Sequence, residues 1–267
     1  MVALAIALAV PHLFSDPNGL DPYILRLTGV TLTLAVAALL MPALVDTRAV
    51  LLSIAATTTS FSLFTALPRL LVDVLGEHAP SGPAQLLWAS LAQVVVTLCF
   101  AGVILAAVPA PLRPELRLSS FPPGAILAAL TGMAVLMLLG LALPAPLLGR
   151  EGFAPQALAR DLPWLAPACT LQAFAQELQF RGFLMGAFER VAPARAANLA
   201  QAILFGLAHL AIQYPGPVGP FIPVTVVLGL LFGWLVQRFH SLWPAVAIHA
   251  AGDIAITSSV LSGLYGL

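Results

Sequence analysis

Residues 171–185 read LQAFAQELQFRGFLM, and this stretch decides how the rest of the chain is interpreted. Glu177 and Arg181 interrupt a segment that is otherwise apolar enough to lie in a membrane. The two residues are four positions apart, so one face of a helix carries both. Because an ionisable pair in hydrocarbon is costly, such a pair indicates a functional site.

The composition is that of a polytopic membrane protein. Of the 267 residues, 60% are hydrophobic and 8% are charged, whereas soluble globular proteins carry about 25% charged residues. The 11 basic residues are all Arg and the formal net charge is zero, so the charge does not indicate a nucleic-acid partner. Cys99 and Cys169 lie in apolar runs, which is typical of buried small side chains rather than of a disulfide framework.

Apolar runs of about 20 residues, the length that crosses ~30 Å of hydrocarbon, recur between breaks rich in Pro, Gly and charge. They predict an all-α bundle of about eight transmembrane helices. Residues 1–14 are too short to span comfortably and are expected to be interfacial. The loops 111–122 and 149–163 could carry short interfacial helices. The predicted spans are 23–45, 49–72, 86–110, 123–148, 164–188, 195–213, 218–237 and 241–264.

The distribution of Arg predicts the orientation of the bundle. Six Arg residues follow spans one, three, five and seven, and four lie on the opposite side. Cytoplasmic loops carry the excess of basic residues. We therefore expect the first group of loops in the cytoplasm and both termini outside.

Ionisable residues at membrane depth are confined to the last 100 residues, and they lie on three predicted helices. In lipid such groups can only face one another or a wet cavity, which predicts one polar centre between spans five, six and eight. This asymmetry divides the chain into supporting helices, 1–163, and a core domain, 164–265. The ionisable residues are Glu177, Arg181, His209, His249 and Asp253.

These residue types fit more than one chemistry. Two imidazoles and two carboxylates could ligate zinc, but no His-x-x-x-His pair lies on one helix. The same groups could activate a water molecule, with a carboxylate as base and a His stabilising an oxyanion. A proton-coupled transporter would use the same residues, although the chain shows no repeated halves with paired broken helices.

Three motifs resemble those of the CPBP family, the CAAX prenyl endopeptidases of the Ras-converting type and their bacterial relatives. The family patterns are Glu-Glu-x-x-x-Arg, Phe-x-x-x-His and His-x-x-x-Asn or Asp. This chain has QELQFRGFL from Gln176, FGLAH from Phe205 and WPAVAIHAAGD from Trp243. The resemblance covers about 164–265 and implies a four-helix core whose first, second and fourth helices carry the motifs.

The resemblance implies a glutamic-type intramembrane endopeptidase of the lipid bilayer that needs neither a metal nor a cofactor. Such an enzyme cleaves a membrane-anchored or lipidated peptide near the membrane surface. The resemblance places His209 beside the reacting water, His249 and Asp253 at the oxyanion, and Arg181 in a structural pair. Phe205 packs beside these groups. A bacterial inner membrane is the expected location, and the resemblance specifies neither the substrate nor an oligomeric state.

The chain departs from the family pattern at its first motif, where Gln176 occupies the position of the first Glu. A Gln side chain can hold a water molecule but cannot take its proton. Adjacent helix positions differ by about 100°, so Glu177 does not point where that first Glu points. We predict Glu177 as the remaining catalytic carboxylate, supported by Gln176. The alternative is a pseudo-protease that binds such peptides as an immunity, chaperone or scaffold protein.

Overall fold

The computed structural model describes residues 20–80, 82–142, 155–209, 219 and 221–259. These residues form helices and connecting segments, with no β-strand among them. The all-α class predicted from the sequence is therefore confirmed.

Each predicted span overlaps one helical stretch among the described residues. One stretch is composite: helix α5 continues without a break into a π-helical segment and then into the short helix α6. The bounds are α1 Leu20–Leu40, α2 Arg48–Leu75, α3 Pro83–Ala107, α4 Ile126–Ala142, α5 Pro155–Glu177, the π segment Leu178–Leu184, α6 Met185–Phe188, α7 Ala194–Ala208, α8 Phe221–Phe239 and α9 Trp243–Ser259.

Three described segments are long and apolar enough to cross a membrane: Pro42–Pro68, Pro83–Ala107 and Phe221–Phe239. Arg26–Leu40 and Pro123–Leu139 are apolar but shorter. The two helices that carry the second and third motifs, α7 and α9, have 15 and 17 residues within the described ranges. The chain thus has the helices of an integral membrane protein, and the count of about eight spans stays a prediction.

The loops differ from expectation at two places. The first loop holds the short 3-10 helix Ala110–Leu112, and residues 113–122 form no helix, because Pro114 and Pro122 disfavour one. Residues 155–163 are the first part of α5 and not a separate interfacial helix. The predicted interfacial segment 1–14 lies outside the described residues.

The π segment holds the centre of the bundle. Together with α5 it contacts α2, α3, α7, α8 and α9, and all seven of its residues are buried. π-helical turns are uncommon and occur frequently at functional sites. The composite helix therefore places its side chains between the N-terminal helices on one side and α7 to α9 on the other.

Two glycines let the extended loop after α3 lie against this composite helix. A Cβ at Gly182 would be 3.6 Å from the carbonyl oxygen of Leu116, and a Cβ at Gly186 would be 3.0 Å from Cβ of Pro114. Arg117 of the same loop is paired with Glu189, just after α6. The loop thus fixes the end of the composite helix at the edge of the bundle.

Candidate active site

Glu177 is the last residue of α5, and its side chain is completely buried. Its Oε1 atom accepts hydrogen bonds from Nη1 of Arg181, at 2.8 Å, and from Nδ1 of His249, at 2.7 Å. The pair expected from the four-residue spacing is therefore formed, and a His from α9 joins it. The three residues make one hydrogen-bonded group inside the bundle.

Arg181, in the π segment, is also completely buried. Its Nη2 atom donates to the carbonyl oxygen of Gly229 on α8, at 3.2 Å. The guanidinium carbon lies 4.4 Å from the ring centroid of Phe205 and 5.2 Å from that of Phe232. A cation over aromatic faces is favoured when it is desolvated. Glu177 supplies the opposite charge, and the two rings exclude water from the pair.

The carbonyl oxygen of Gly229 also accepts a hydrogen bond from Gln201, a residue outside the three motifs. Nε2 of Gln201, on α7, donates to it at 2.9 Å and also donates to Oδ1 of Asn198 at 2.7 Å. A Cβ at Gly233 would overlap the Asn198 side chain, so α7 and α8 approach this closely only because glycine is there. The signal in the sequence is the four-residue spacing of Gly229 and Gly233, a small-residue pattern typical of close helix packing.

His249 connects the buried group to the third motif. Its Nδ1 atom must carry the hydrogen that Glu177 accepts, because a carboxylate oxygen only accepts. On the other side of the ring, Nε2 lies 3.5 Å from Oδ1 of Asp253, whose side chain is 20% exposed. The ring of Phe232 stacks on the imidazole at 5.3 Å. His249 is thereby held between two carboxyl groups and one aromatic face.

His209 belongs to the same centre but not to the same hydrogen-bonded group. Its Nδ1 atom is 2.8 Å from the carbonyl oxygen of Phe205. A carbonyl oxygen only accepts, so Nδ1 carries the hydrogen and Nε2 has a free lone pair. The ring of Phe205 contacts His209 at 4.8 Å and His249 at 5.6 Å. His209 therefore lies across one aromatic ring from His249.

Two carboxyl oxygens in this centre have no hydrogen-bond partner among the described residues, Oε2 of Glu177 and Oδ2 of Asp253. Gln176, which precedes Glu177 in the chain, is buried at 2% exposure. Orphaned acceptors in a buried site are rare and each requires an explanation, such as a bound water or substrate. Oε2 of Glu177 and Oδ2 of Asp253 are thus the carboxyl oxygens available to a water molecule or a substrate.

The predicted site residues come from three helical elements, as the sequence implied. Glu177, Arg181, His249 and Asp253 lie in one line of polar contacts. In the part of the chain that the structure describes, no group of three His, Cys, Asp or Glu residues could hold a metal ion. The absence of a metal from the reaction stays a prediction.

Comparison with known families identifies the segment that carries this site. Residues 158–255 match the family model described as type II CAAX prenyl endopeptidase Rce1-like. No curated protein and no solved structure matched the chain. The matched segment includes all three motifs and every residue of the polar centre. Residues 158–255 are therefore similar to the Rce1-like type II CAAX prenyl endopeptidases, in agreement with the resemblance seen in the motifs.

Proposed function

We propose that this protein is an intramembrane endopeptidase that hydrolyses a peptide bond of a membrane-anchored or lipidated substrate. The observation that carries the proposal is the buried group of Glu177, Arg181 and His249 inside an Rce1-like domain. A carboxylate kept at membrane depth is expensive and marks function by default. The apolar helices around it suit a substrate that reaches the site from the bilayer.

Glu177 and His209 are the proposed activators of water. Oε1 of Glu177 is occupied by two donors, which leaves Oε2 to face a water molecule. Nδ1 of His209 is occupied by a carbonyl, which leaves the lone pair of Nε2 to accept a proton. The water oxygen attacks the scissile carbonyl carbon as its proton passes to His209. Gln176, next to Glu177, holds the water by hydrogen bonds but takes no proton.

His249 and Asp253 are the proposed oxyanion group. Glu177 fixes one imidazole nitrogen as a donor, so the opposite nitrogen, Nε2, is the one that can stabilise the oxyanion when it is protonated. Asp253, 3.5 Å away, favours that protonated form. Collapse of the tetrahedral intermediate breaks the C–N bond, and the leaving amine takes the proton held by His209. Atoms and charges then balance as for simple hydrolysis.

Arg181 has a structural role in this proposal. It neutralises Glu177 and ties α5 to α8 through Gly229. The family and the composition also suggest a bacterial inner membrane as the location. The substrate is a peptide anchored in that membrane, with or without a prenyl group.

The proposal is tested with purified protein in lipid nanodiscs and a quenched fluorescent peptide. The probe carries a farnesylated Cys three residues from its C-terminus, and a second probe lacks the lipid. We expect wild type to cleave a probe and His209→Ala to lower kcat by roughly 10²–10⁴-fold. His78→Ala is the matched control, because His78 is exposed and lies outside the site.

A folded wild type that binds the farnesylated probe but cleaves neither probe would support the pseudo-protease instead. Equal rates for wild type and His209→Ala would show that the cleavage does not use this site. The comparison of the two probes identifies the substrate class, since only a prenyl-dependent enzyme distinguishes them.

A further inference from the structure

A second buried polar cluster lies on the side of the composite helix that faces the N-terminal half of the protein. Gln179, in the π segment, donates through Nε2 to Oγ of Ser60 on α2, at 2.8 Å, and to Oγ1 of Thr97 on α3, at 2.7 Å. All three side chains are completely buried. Among the described residues, these hydrogen bonds do not involve Glu177, Arg181 or His249.

The hydrogen bonds of this cluster fix the direction of each donor. Thr97 donates through Oγ1 to the backbone carbonyl of Gln93 at 2.7 Å, and Ser60 donates to the same carbonyl at 3.3 Å. Each hydroxyl has one hydrogen, so neither can also donate to Gln179. Oε1 of Gln179 consequently has no partner among the described residues.

Gln93 has more side-chain atoms without a hydrogen-bond partner than Gln179 has. Its side chain is completely buried on α3, and neither Nε2 nor Oε1 has a hydrogen-bond partner in the described part of the chain. An amide can make up to four hydrogen bonds. Buried amides are satisfied in nearly all native structures, by protein atoms or by ordered water. The cluster therefore presents two donors and two acceptor oxygens to a small polar ligand.

Gln93 on α3 lies at about the same height in the bundle as Gln176, which adjoins the catalytic residue Glu177. Leu86 on α3 packs with Leu165 on α5, and Thr97 further along α3 bonds to Gln179, so the two helices run in the same direction. Gln93 lies about 6 Å before Thr97, and Gln176 about 4.5 Å before Gln179, at 1.5 Å per residue. Gln93 and Gln176 are therefore at similar heights in the bundle.

Three glutamines share this face of the composite helix: Gln172, Gln176 and Gln179, spaced by four and three residues. Gln172 is half-buried, whereas the other two are buried. The face thus leads from a partly accessible amide to Gln176, which adjoins Glu177. Such a row of amides is suited to water because each can donate and accept at once.

We propose that Gln93 and Gln179 bind internal water between α3 and the composite helix, and that this water extends along the glutamine face to Gln176. A buried water makes about three hydrogen bonds to groups that are otherwise unsatisfied, which the two amides supply. The further step, that this water replenishes the molecule consumed in hydrolysis, rests on the proposed function. The N-terminal helices would then contribute to the reaction and not only to support.

Hydroxyl-radical footprinting in nanodiscs tests the water site without a substrate. X-ray radiolysis generates radicals from water wherever it is bound, and the products are located by mass spectrometry. Phe61 and Phe180 adjoin Ser60 and Gln179, and both are almost completely buried. We expect oxidation of these two rings above background in wild type, and a several-fold loss in the double variant Gln93→Leu/Gln179→Leu. Phe121, exposed in the loop after α3, should be labelled equally in both proteins.

Unlabelled Phe61 and Phe180 in wild type, or labelling that the double variant does not change, would overturn the inference. If the double variant does not fold, Gln93→Met replaces it, since Met has a similar volume. A dry cluster predicts that Gln93→Met raises the unfolding temperature by removing an unpaired buried amide, whereas a hydrated one predicts no rise. Radical labelling and peptide cleavage are measured separately. Labelling as expected without any peptide cleavage would support the water site and refute the proposed function.

Discussion

Nδ1 of His249 donates a hydrogen bond to Oε1 of Glu177 across 2.7 Å, and so joins residues 72 positions apart on α9 and α5. The same oxygen accepts from Arg181. These two hydrogen bonds join the first and third motifs in one buried group. The second oxygen of Glu177, Oε2, has no hydrogen-bond partner among the described residues.

Gln176→Glu should increase cleavage. The substitution places a carboxylate where the family pattern has its first Glu, and a general base contributes roughly 10²–10⁴-fold. We expect a higher kcat for the fluorescent peptide with little change in KM. Gln176→Met keeps the volume but cannot hold a water, so its kcat should fall below that of wild type. A folded Gln176→Glu protein with a lower kcat than wild type would contradict this role for position 176.

Asp253→Asn should retain activity, whereas Asp253→Ala should lose it. The family pattern accepts either Asn or Asp at this position, and an amide can donate a hydrogen bond to the oxyanion directly. Asp253→Ala has neither the carboxylate that favours protonated His249 nor an amide that could donate, and loss of such oxyanion stabilisation costs roughly 10²–10³-fold in kcat. The measurement is kcat for each variant at saturating peptide. An alanine variant as active as the asparagine variant would remove Asp253 from the oxyanion group.

Glu177→Ala should destabilise the protein strongly, because it leaves the charge of Arg181 buried and unpaired. Removing one partner of a buried pair costs about 3–5 kcal/mol. The double variant Glu177→Gln/Arg181→Met removes both charges and should recover much of that loss. The free energy of unfolding is measured by detergent titration.

Arg160→Ala is the control for this pair. Arg160 and Asp161 form an ion pair outside the site, with the Arg160 side chain 65% exposed. The Asp161 side chain is 10% exposed, but the Arg160 guanidinium is solvated, and such pairs contribute about 0–1 kcal/mol. This variant should therefore lose far less stability than Glu177→Ala. Equal destabilisation by Arg160→Ala and Glu177→Ala would show that burial of the Glu177 pair is not what stabilises it.

Gly233→Ala should loosen the packing of α7 on α8. The added methyl group would overlap Asn198 and come within 2.7 Å of Nε2 of Gln201. Overpacking of this kind costs about 1–3 kcal/mol, and it should also lower kcat because Gln201 shares the Gly229 carbonyl with Arg181. Gly102→Ala, where a Cβ meets nothing within 4 Å, is the matched control. A Gly233→Ala protein as stable as the control would contradict the close approach.

The sequence predicts the helices and the neighbours within each helix well, because both depend on local spacing. Glu177 and Arg181 pair as the four-residue interval requires. The contact of His249 with Glu177 depends on how α9 packs against α5, and a single sequence specifies only that polar faces in lipid must meet. Similarly, the tautomer of His209 follows from a carbonyl one turn back, which is visible only in the folded helix.

Other features have no local signal. The π segment is invisible in the sequence because its residues fit an ordinary apolar helix equally well. Gln93, Ser60 and Thr97 appear as isolated neutral polar residues in apolar helices, a common occurrence. Only the hydrogen bonds of Ser60 and Thr97 to Gln179 and to the backbone of Gln93 distinguish them. The sequence therefore predicts supporting N-terminal helices, and the structure shows a buried polar cluster between them and the site helix.

The most direct test of the central proposal is peptide cleavage in water enriched in ¹⁸O. Wild type in nanodiscs should release an N-terminal fragment whose new carboxylate carries one ¹⁸O atom under single-turnover conditions. His209→Ala should form this fragment at least about 10²-fold more slowly, while His78→Ala should match wild type. Absence of the labelled fragment from wild type, or its formation at the same rate by His209→Ala, would contradict hydrolysis by water activated at Glu177 and His209.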